Sequence, residues 1–356
     1  MNQLRFPKFS RLNGQSRGKV KKLVSFPLKH KMQLNILEFI DEAKCCDYLR
    51  EVKWSKGLKC PRCGSTHVRR DGTKGRHSNI YHYECGEKGC GKKFDDRTGT
   101  IFSGSPQELK LWILVMWLIS LNLSNSQVAQ ELNMCIKVCS RMIEKLRIGI
   151  IGKQTEPILS QEVEIDEVYV VAGHKGQPKK VKEAGREGRR RRLKGARGRG
   201  TLKNEKPPIL GMVQGGGELI MRMLPNVKQV TIKPLIERYI AKETCIYTDE
   251  YNIYNKLEDW NYEHKTVCHS KYEYARDEDG DGFYEVHVNT QEGIWSLLRS
   301  WLRPHRGISQ QKLPLYIGFF QFSFNVKKRG KKLLPTLFET ILGQNQRKIE
   351  DFYFSL

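Results

Sequence analysis

The chain has 356 residues, enough for two or three modules with cores of their own. Its formal net charge of +24, with a sequence pI near 9.6, points to a polyanionic partner. The longest apolar run, Leu111 to Leu121, is eleven residues, well short of the roughly 20 that span a bilayer, and no apolar signal segment opens the chain, so membrane and secreted classes are disfavoured.

Residues 1–31 carry nine Lys or Arg and no acidic residue, and residues 1–35 are expected as a flexible basic arm. Residues 36–50 read as a short amphipathic helix leading into a zinc ribbon, the two together filling residues 36–103. The spacing Cys60-x2-Cys63 followed by Cys85-x4-Cys90 presents four thiolates for one tetrahedral structural Zn²⁺. His82 lies close enough in sequence to replace a thiolate, but the complete cysteine set leaves it as a packed or DNA-facing residue. Cys45, Cys46, Cys135 and Cys139 read as small core residues, and the ten cysteines suit a reducing compartment rather than a disulfide framework.

Residues 104–150 are helical in pattern, with a turn near Asn133 between two helices. That arrangement resembles a helix-turn-helix, whose second helix would bring Lys137, Ser140, Arg141 and Lys145 to DNA. Two amphipathic helices packed on a core give the same pattern. From residue 160 strands and helices mix: VEIDEVYVVAG, ILGMVQGG and ELIMRMLPN read as three strands, KPLIERYIA as a helix, and CIYTDEY as a fourth strand. Between the first two strands, residues 174–203 hold thirteen Lys or Arg against two Glu, the densest charge being Arg189, Arg190, Arg191 and Arg192. Residues 174–206 are expected as a DNA-binding insertion that orders on binding, and the run 160–330 as the core, followed by a tail at 331–356.

Three acidic residues carry the chemistry. Asp166 lies in one strand run and Asp249 ends another, while Glu292 opens a helical pattern with Ile294, Trp295, Leu298 and Leu302 on one face. Oxygen ligands of this kind suit hard cations such as Mg²⁺, and two such ions about 4 Å apart can clamp an in-line phosphoryl displacement. Strand alternation puts Glu164 on the same face as Asp166 and turns Glu167 away. Asn289 stands three residues before Glu292 and shares its face if the helix starts early enough. The run Asp277-x-Asp279-x-Asp281 imitates a calcium loop but has Val288 where the bidentate Glu belongs. Trp295 and Trp301 read as helix-packing residues.

The segments EIDEVYV, GMVQGGG, YTDEYNIY, HSKYEY, HVNTQEGIWSLLR and LPLYIGFFQFSFN together resemble the DDE transposases of bacterial insertion sequences. The resemblance is to the zinc-ribbon-bearing group related to the Merlin elements and spans about residues 36 to 325. It implies an α/β ribonuclease-H-like core in which the first and fourth strands are neighbours. It also implies two Mg²⁺ (or Mn²⁺) ions held by Asp166, Asp249 and Glu292, with Asn289 as the alternative third position because the family varies there. Arg299 falls where the family usually has lysine, and the resemblance gives it a DNA phosphate to hold. The expected function is cleavage and strand transfer at the ends of the protein's own element, on double-stranded DNA, by a homo-oligomer in the bacterial cytoplasm at the nucleoid. The contrasting expectations are a transposase-derived, non-catalytic DNA-binding regulator, and a ribonuclease or resolvase using the same metal chemistry.

Overall fold

A computed structural model describes residues 41–72, 79–174, 178–183, 200–203, 205–267, 275–276, 286–305 and 307–342. The basic arm, Arg189 to Arg192, and the Asp277 to Asp281 run lie outside the described residues. The described residues all lie within one compact unit.

Helix α1 (Glu42–Lys53) starts where Asp41 accepts the Ala43 N–H at 2.8 Å, and it buries Cys45, Cys46 and Leu49. Strands β1 (Val68–Arg70), β2 (His82–Cys85) and β3 (Lys93–Asp95) form a small antiparallel sheet. So little hydrophobic surface is available there that polar pinning matters. Wholly buried Asp96 accepts from Arg50 Nη1 at 3.0 Å, Trp54 Nε1 at 3.2 Å, the Tyr81 N–H at 2.8 Å and the Tyr83 hydroxyl at 2.8 Å, tying α1 to the ribbon.

Helices α2 (Leu109–Ser120), α3 (Asn125–Glu131) and α4 (Ile136–Lys153) follow. Ser124 and Gln127 form a reciprocal capping box that sets the start of α3, and Asn133 takes φ 48° in the turn to α4, a left-handed conformation Asn tolerates. These helices share a core that includes Trp112, Met116, Val128 and Leu146. Cys139 is buried there as expected, but Cys135 is exposed: it precedes the first residue of α4, so it stands at the helix mouth and not on the packed stripe.

The second half supplies a five-stranded sheet. In chain order come β4 (Glu162–Tyr169), α5 (Pro178–Glu183), β5 (Pro208–Gln214), β6 (Leu219–Met223), α6 (Gln229–Tyr239), β7 (Cys245–Asp249) and β8 (Glu263–Val267). Two-residue strands β9 (Ala275–Arg276) and β10 (Val286–His287) pair with each other, and α7 (Asn289–Leu302), α8 (Leu313–Lys328) and α9 (Leu333–Leu342) complete the described chain. The sheet order is β6-β5-β4-β7-β8; β4 runs antiparallel to β5 and parallel to β7. Helix α6 begins at Gln229, one turn before the predicted start at Lys233, and keeps Pro234 inside, where the missing N–H removes a single rung of the ladder.

Alternation along the strands sorts the two faces. Val163, Ile165, Leu210, Met212 and Ile246 pack with α6, whereas Val168, Ile209, Val213 and Leu219 pack with α7 and α8. Strand β6 lies at the sheet edge, and α8 covers its open backbone: Asn325 Oδ1 accepts from Leu219 N at 2.8 Å, Asn325 Nδ2 donates to Leu219 O at 2.9 Å, and Gln321 Oε1 accepts from Met221 N at 2.9 Å. Side chains four apart on one helix thus finish a strand that would otherwise invite another chain.

Two segments are more structured than the sequence suggested. The chain returning from the basic insertion continues the β4–β5 ladder, with Ala172 N donating to Glu205 O at 2.9 Å and Val170 N to Pro207 O at 3.2 Å. Residues 333–342, expected within a tail, form α9 and bury Leu337, Phe338, Ile341 and Leu342 in the helical core. Among the described residues no helix is long and apolar enough to cross a membrane.

Candidate active site and zinc centre

Register places the two aspartates. In the parallel pair β4 and β7, Glu162 is level with Cys245 and Glu164 with Tyr247; the same offset carried two residues on sets Asp166 level with Asp249. Neighbouring strands lie about 4.8 Å apart, and level residues of a parallel pair project to the same face. That face is the one covered by α7, so Glu292, in its first turn, comes to the same end of the sheet. Helix α7 begins at Asn289, early enough for Asn289 and Glu292 to share a face, and both are exposed. Arg299 is exposed two turns further along.

Charge and hydrogen bonds agree with this placement. Burial pushes the Asp166 carboxyl above its usual range, the Trp295 and Glu167 N–H groups pull it back, and the Asp249 and Glu292 carboxylates push it up again. The Trp295 indole N–H donates to Asp166 Oδ2 at 2.7 Å, so this buried tryptophan is more than packing. Asp249 Oδ1 accepts the Tyr251 N–H at 3.1 Å, which holds its side chain at the strand end. Glu167 points to the opposite face and receives the Tyr254 hydroxyl.

Glu164 has a separate place. Buried on the α7 face, it accepts the Gln291 N–H at 2.8 Å and lies 3.3 Å from His287 Nδ1. It therefore caps a helix whose own preceding residue, Val288, has no capping side chain. Gly211, level with Asp166 on β5, leaves room for the helix. A Cβ there would stand 2.2 Å from Gln291 Nε2 and 2.5 Å from Trp295 Cη2.

The cysteines assemble separately. The Sγ atoms of Cys60, Cys63, Cys85 and Cys90 all lie within 4.8 Å of one another, with Cys60 to Cys90 at 3.7 Å and Cys63 to Cys85 at 3.6 Å. Four thiolates at about 2.3 Å from one tetrahedral Zn²⁺ would stand about 3.8 Å apart, so the set fits that ion. The Arg62 N–H points at Cys60 Sγ at 3.4 Å, an interaction that favours the thiolate. His82 is half-buried on β2 and is not part of this cluster.

A family model of the ISXO2-like transposase domain matches residues 158–325, which run from just before β4 to near the end of α8. A protein of Halobacterium salinarum, described as an uncharacterized protein in transposable element ISH50, is 34% identical over 86% of this chain and 99% of its own length. The chain belongs to the ISXO2-like transposase family. A second relative of this transposase-family chain, an uncharacterized transposase-like protein of Haemophilus influenzae, is 25% identical over 29% of the chain and 77% of its own length. Among solved structures, the simian T-cell lymphotropic virus intasome in complex with PP2A regulatory subunit B56 gamma aligns with 68% of the chain and 74% of its own. Its TM-score of 0.24 and 9% identity are too slight to carry a fold assignment.

Sequence reasoning missed three features of this transposase-family site: the indole bond of Trp295, the cap made by Glu164, and the clearance at Gly211. Period alone had already put Glu164 on the face of Asp166, which was the signal for the second. Lys137 and Arg141 are exposed on the first turns of α4, beside exposed Ile136 and half-buried Ser140.

Proposed function

We propose that this member of the transposase family binds the ends of its own insertion sequence and cleaves and joins DNA strands there. What supports the reading is that the parallel register of β4 and β7, carried two residues past Glu164 and Tyr247, sets Asp166 level with Asp249, and that α7 starts with Glu292 in its first turn. Three strands in antiparallel succession, a helix, then a strand returning parallel beside the first is the ribonuclease-H-like order, and on this reading the sheet is such a core. Asp166, Asp249 and Glu292 form a hard-oxygen donor set whose mutual repulsion a divalent cation would relieve, and they would hold two Mg²⁺ (or Mn²⁺) ions, with Asn289 as the alternative to Glu292. When bound, the cations supply Lewis acidity at the scissile phosphate and ease deprotonation of the attacking hydroxyl.

The rest of the chain positions DNA. In a first step water attacks the phosphorus and the 3′ oxygen leaves; in a second the freed 3′ hydroxyl attacks a target-DNA phosphorus and the target's own 3′ oxygen leaves, with no covalent protein intermediate. Arg299, projecting beyond Glu292 on α7, would hold a phosphate near the reacting one. Helices α3 and α4 act as a helix-turn-helix, with Lys137 and Arg141 at the major groove, and Arg189 to Arg192 follow the phosphate backbone. The zinc ribbon is a structural module, and a homo-oligomer would bring two element ends together. The test is to incubate the purified chain with DNA flanking its own gene. Strand breaks with 3′ hydroxyls at the element ends that appear with Mg²⁺ and vanish with a chelator support the reading. Binding without cleavage would instead favour a transposase-derived regulator.

A further inference from the structure

We propose that Glu164 and Trp295 are positioning residues that lock α7 against β4 and so fix Glu292 relative to Asp166. The proposal rests on the carboxylate reading above and extends it to residues that need not touch DNA or a cation. Strand β4 offers two same-face carboxylates two residues apart, and α7 answers with two groups four residues apart, about one helical turn. Asp166 Oδ2 takes the Trp295 indole N–H at 2.7 Å, and Glu164 Oε2 takes the Gln291 backbone N–H at 2.8 Å. A rise of about 6.6 Å over two strand residues nearly matches the about 6 Å over four helical residues, so both bonds can form together.

The surroundings favour a rigid joint. Trp295 and Glu164 are 3% and 4% exposed, and Gln291 is wholly buried between them. Gly211 admits the Trp295 ring and the Gln291 amide to the sheet surface. His287, the residue two before α7, places Nδ1 3.3 Å from the second oxygen of Glu164. Glu292 is the next residue after Gln291, so its Cα is fixed by the same cap, while its side chain stays exposed. A carboxylate has about four acceptor positions. Asp166 can therefore keep the indole bond and still turn an oxygen toward a cation.

The test measures Mn²⁺ binding by the full-length chain without DNA, by electron paramagnetic resonance, alongside cleavage of its own element ends in Mg²⁺. Outer partners of metal-holding groups are typically worth roughly 10–100-fold in affinity or rate. Trp295→Phe keeps an aromatic side chain but removes the indole N–H together with its five-membered ring, and is expected to weaken Mn²⁺ binding about tenfold or more. Glu164→Ala is expected to do the same, and Glu164→Gln, which keeps a carbonyl acceptor for the Gln291 N–H, to recover most of the loss. Unchanged Mn²⁺ affinity in folded Trp295→Phe and Glu164→Ala would overturn the proposal. Should Trp295→Phe fail to fold, the Gln-against-Ala comparison at 164 decides, equal losses overturning it. Asp166→Ala serves as the reference. If it retains cleavage and Mn²⁺ binding, the underlying carboxylate reading fails; if it loses both while the two positioning variants do not change, only the present inference fails.

Discussion

Gly211→Ala is the smallest perturbation that tests how α7 sits on the sheet. The added methyl would meet Gln291 Nε2 at 2.2 Å and Trp295 Cη2 at 2.5 Å and Cζ2 at 2.8 Å. Close approaches of this kind relax only beyond about 3.4 Å, so ring and strand must part by roughly 1 Å. The Gln291 amide can swing, but the Trp295 ring is buried among Ile294, Leu298 and Val168 and cannot. Overpacking a tight core costs typically about 1–3 kcal/mol, and the 2.7 Å indole bond to Asp166 would be stretched or broken as the ring moves. We expect a lower urea midpoint by that amount and a larger loss in cleavage rate than in affinity for element ends. The assay is paired chemical denaturation and single-turnover cleavage. Wild-type stability and rate in Gly211→Ala would rule out this tight contact, because the methyl would then have found room that the packing denies it.

Further outcomes follow from other parts of the molecule. Purified protein should carry about one zinc per chain, and Cys63→Ser should release it and unfold the ribbon before the five-stranded sheet; metal analysis by mass spectrometry and limited proteolysis check this. His305 is held down to about 4 by burial and by the Arg147 guanidinium. Its folded value lies below its unfolded one, so it contributes stability above about pH 6.5 that is lost as pH falls toward 4, up to about 2 kcal/mol after screening; His305→Gln should flatten that part of a stability profile. Neutralising Arg189, Arg190, Arg191 and Arg192 should weaken DNA binding for all sequences and reduce the slope of log affinity against log salt, by about 0.9 for each phosphate no longer neutralised; filter binding at several salt concentrations measures it.

Much of this architecture was legible because its signals are local. The strand runs around Asp166 and Asp249, the four cysteines and the turn at Asn133 each declare themselves through periodicity, ligand spacing or backbone preference. What the sequence hid is long-range. That Trp295 donates to Asp166, 129 residues away, depends on how a helix is laid across a sheet, and no local pattern distinguishes that indole from an ordinary core ring. The pairing of Asn325 with both polar groups of Leu219 is hidden for the same reason, although two amides four apart in an otherwise apolar helix were a visible oddity. Cys135 was misplaced because it stands just before the first residue of α4, where the buried stripe has not yet begun. The packing of α9 depends on partners such as Tyr48 and Phe102, far away in the chain.

Strand cleavage and element-end binding, measured side by side in Mg²⁺ for wild type and for Asp166→Ala, Asp249→Ala, Glu292→Ala and Asn289→Ala, test the carboxylate assignment. A hard cation prefers a carboxylate to a neutral amide. The first three substitutions are expected to abolish cleavage while binding is largely kept, and Asn289→Ala to retain measurable cleavage. Cleavage that survives loss of Asp166 and Asp249 would overturn the carboxylate assignment, and dependence on Asn289 with indifference to Glu292 would move the third position one helical turn toward the start of α7.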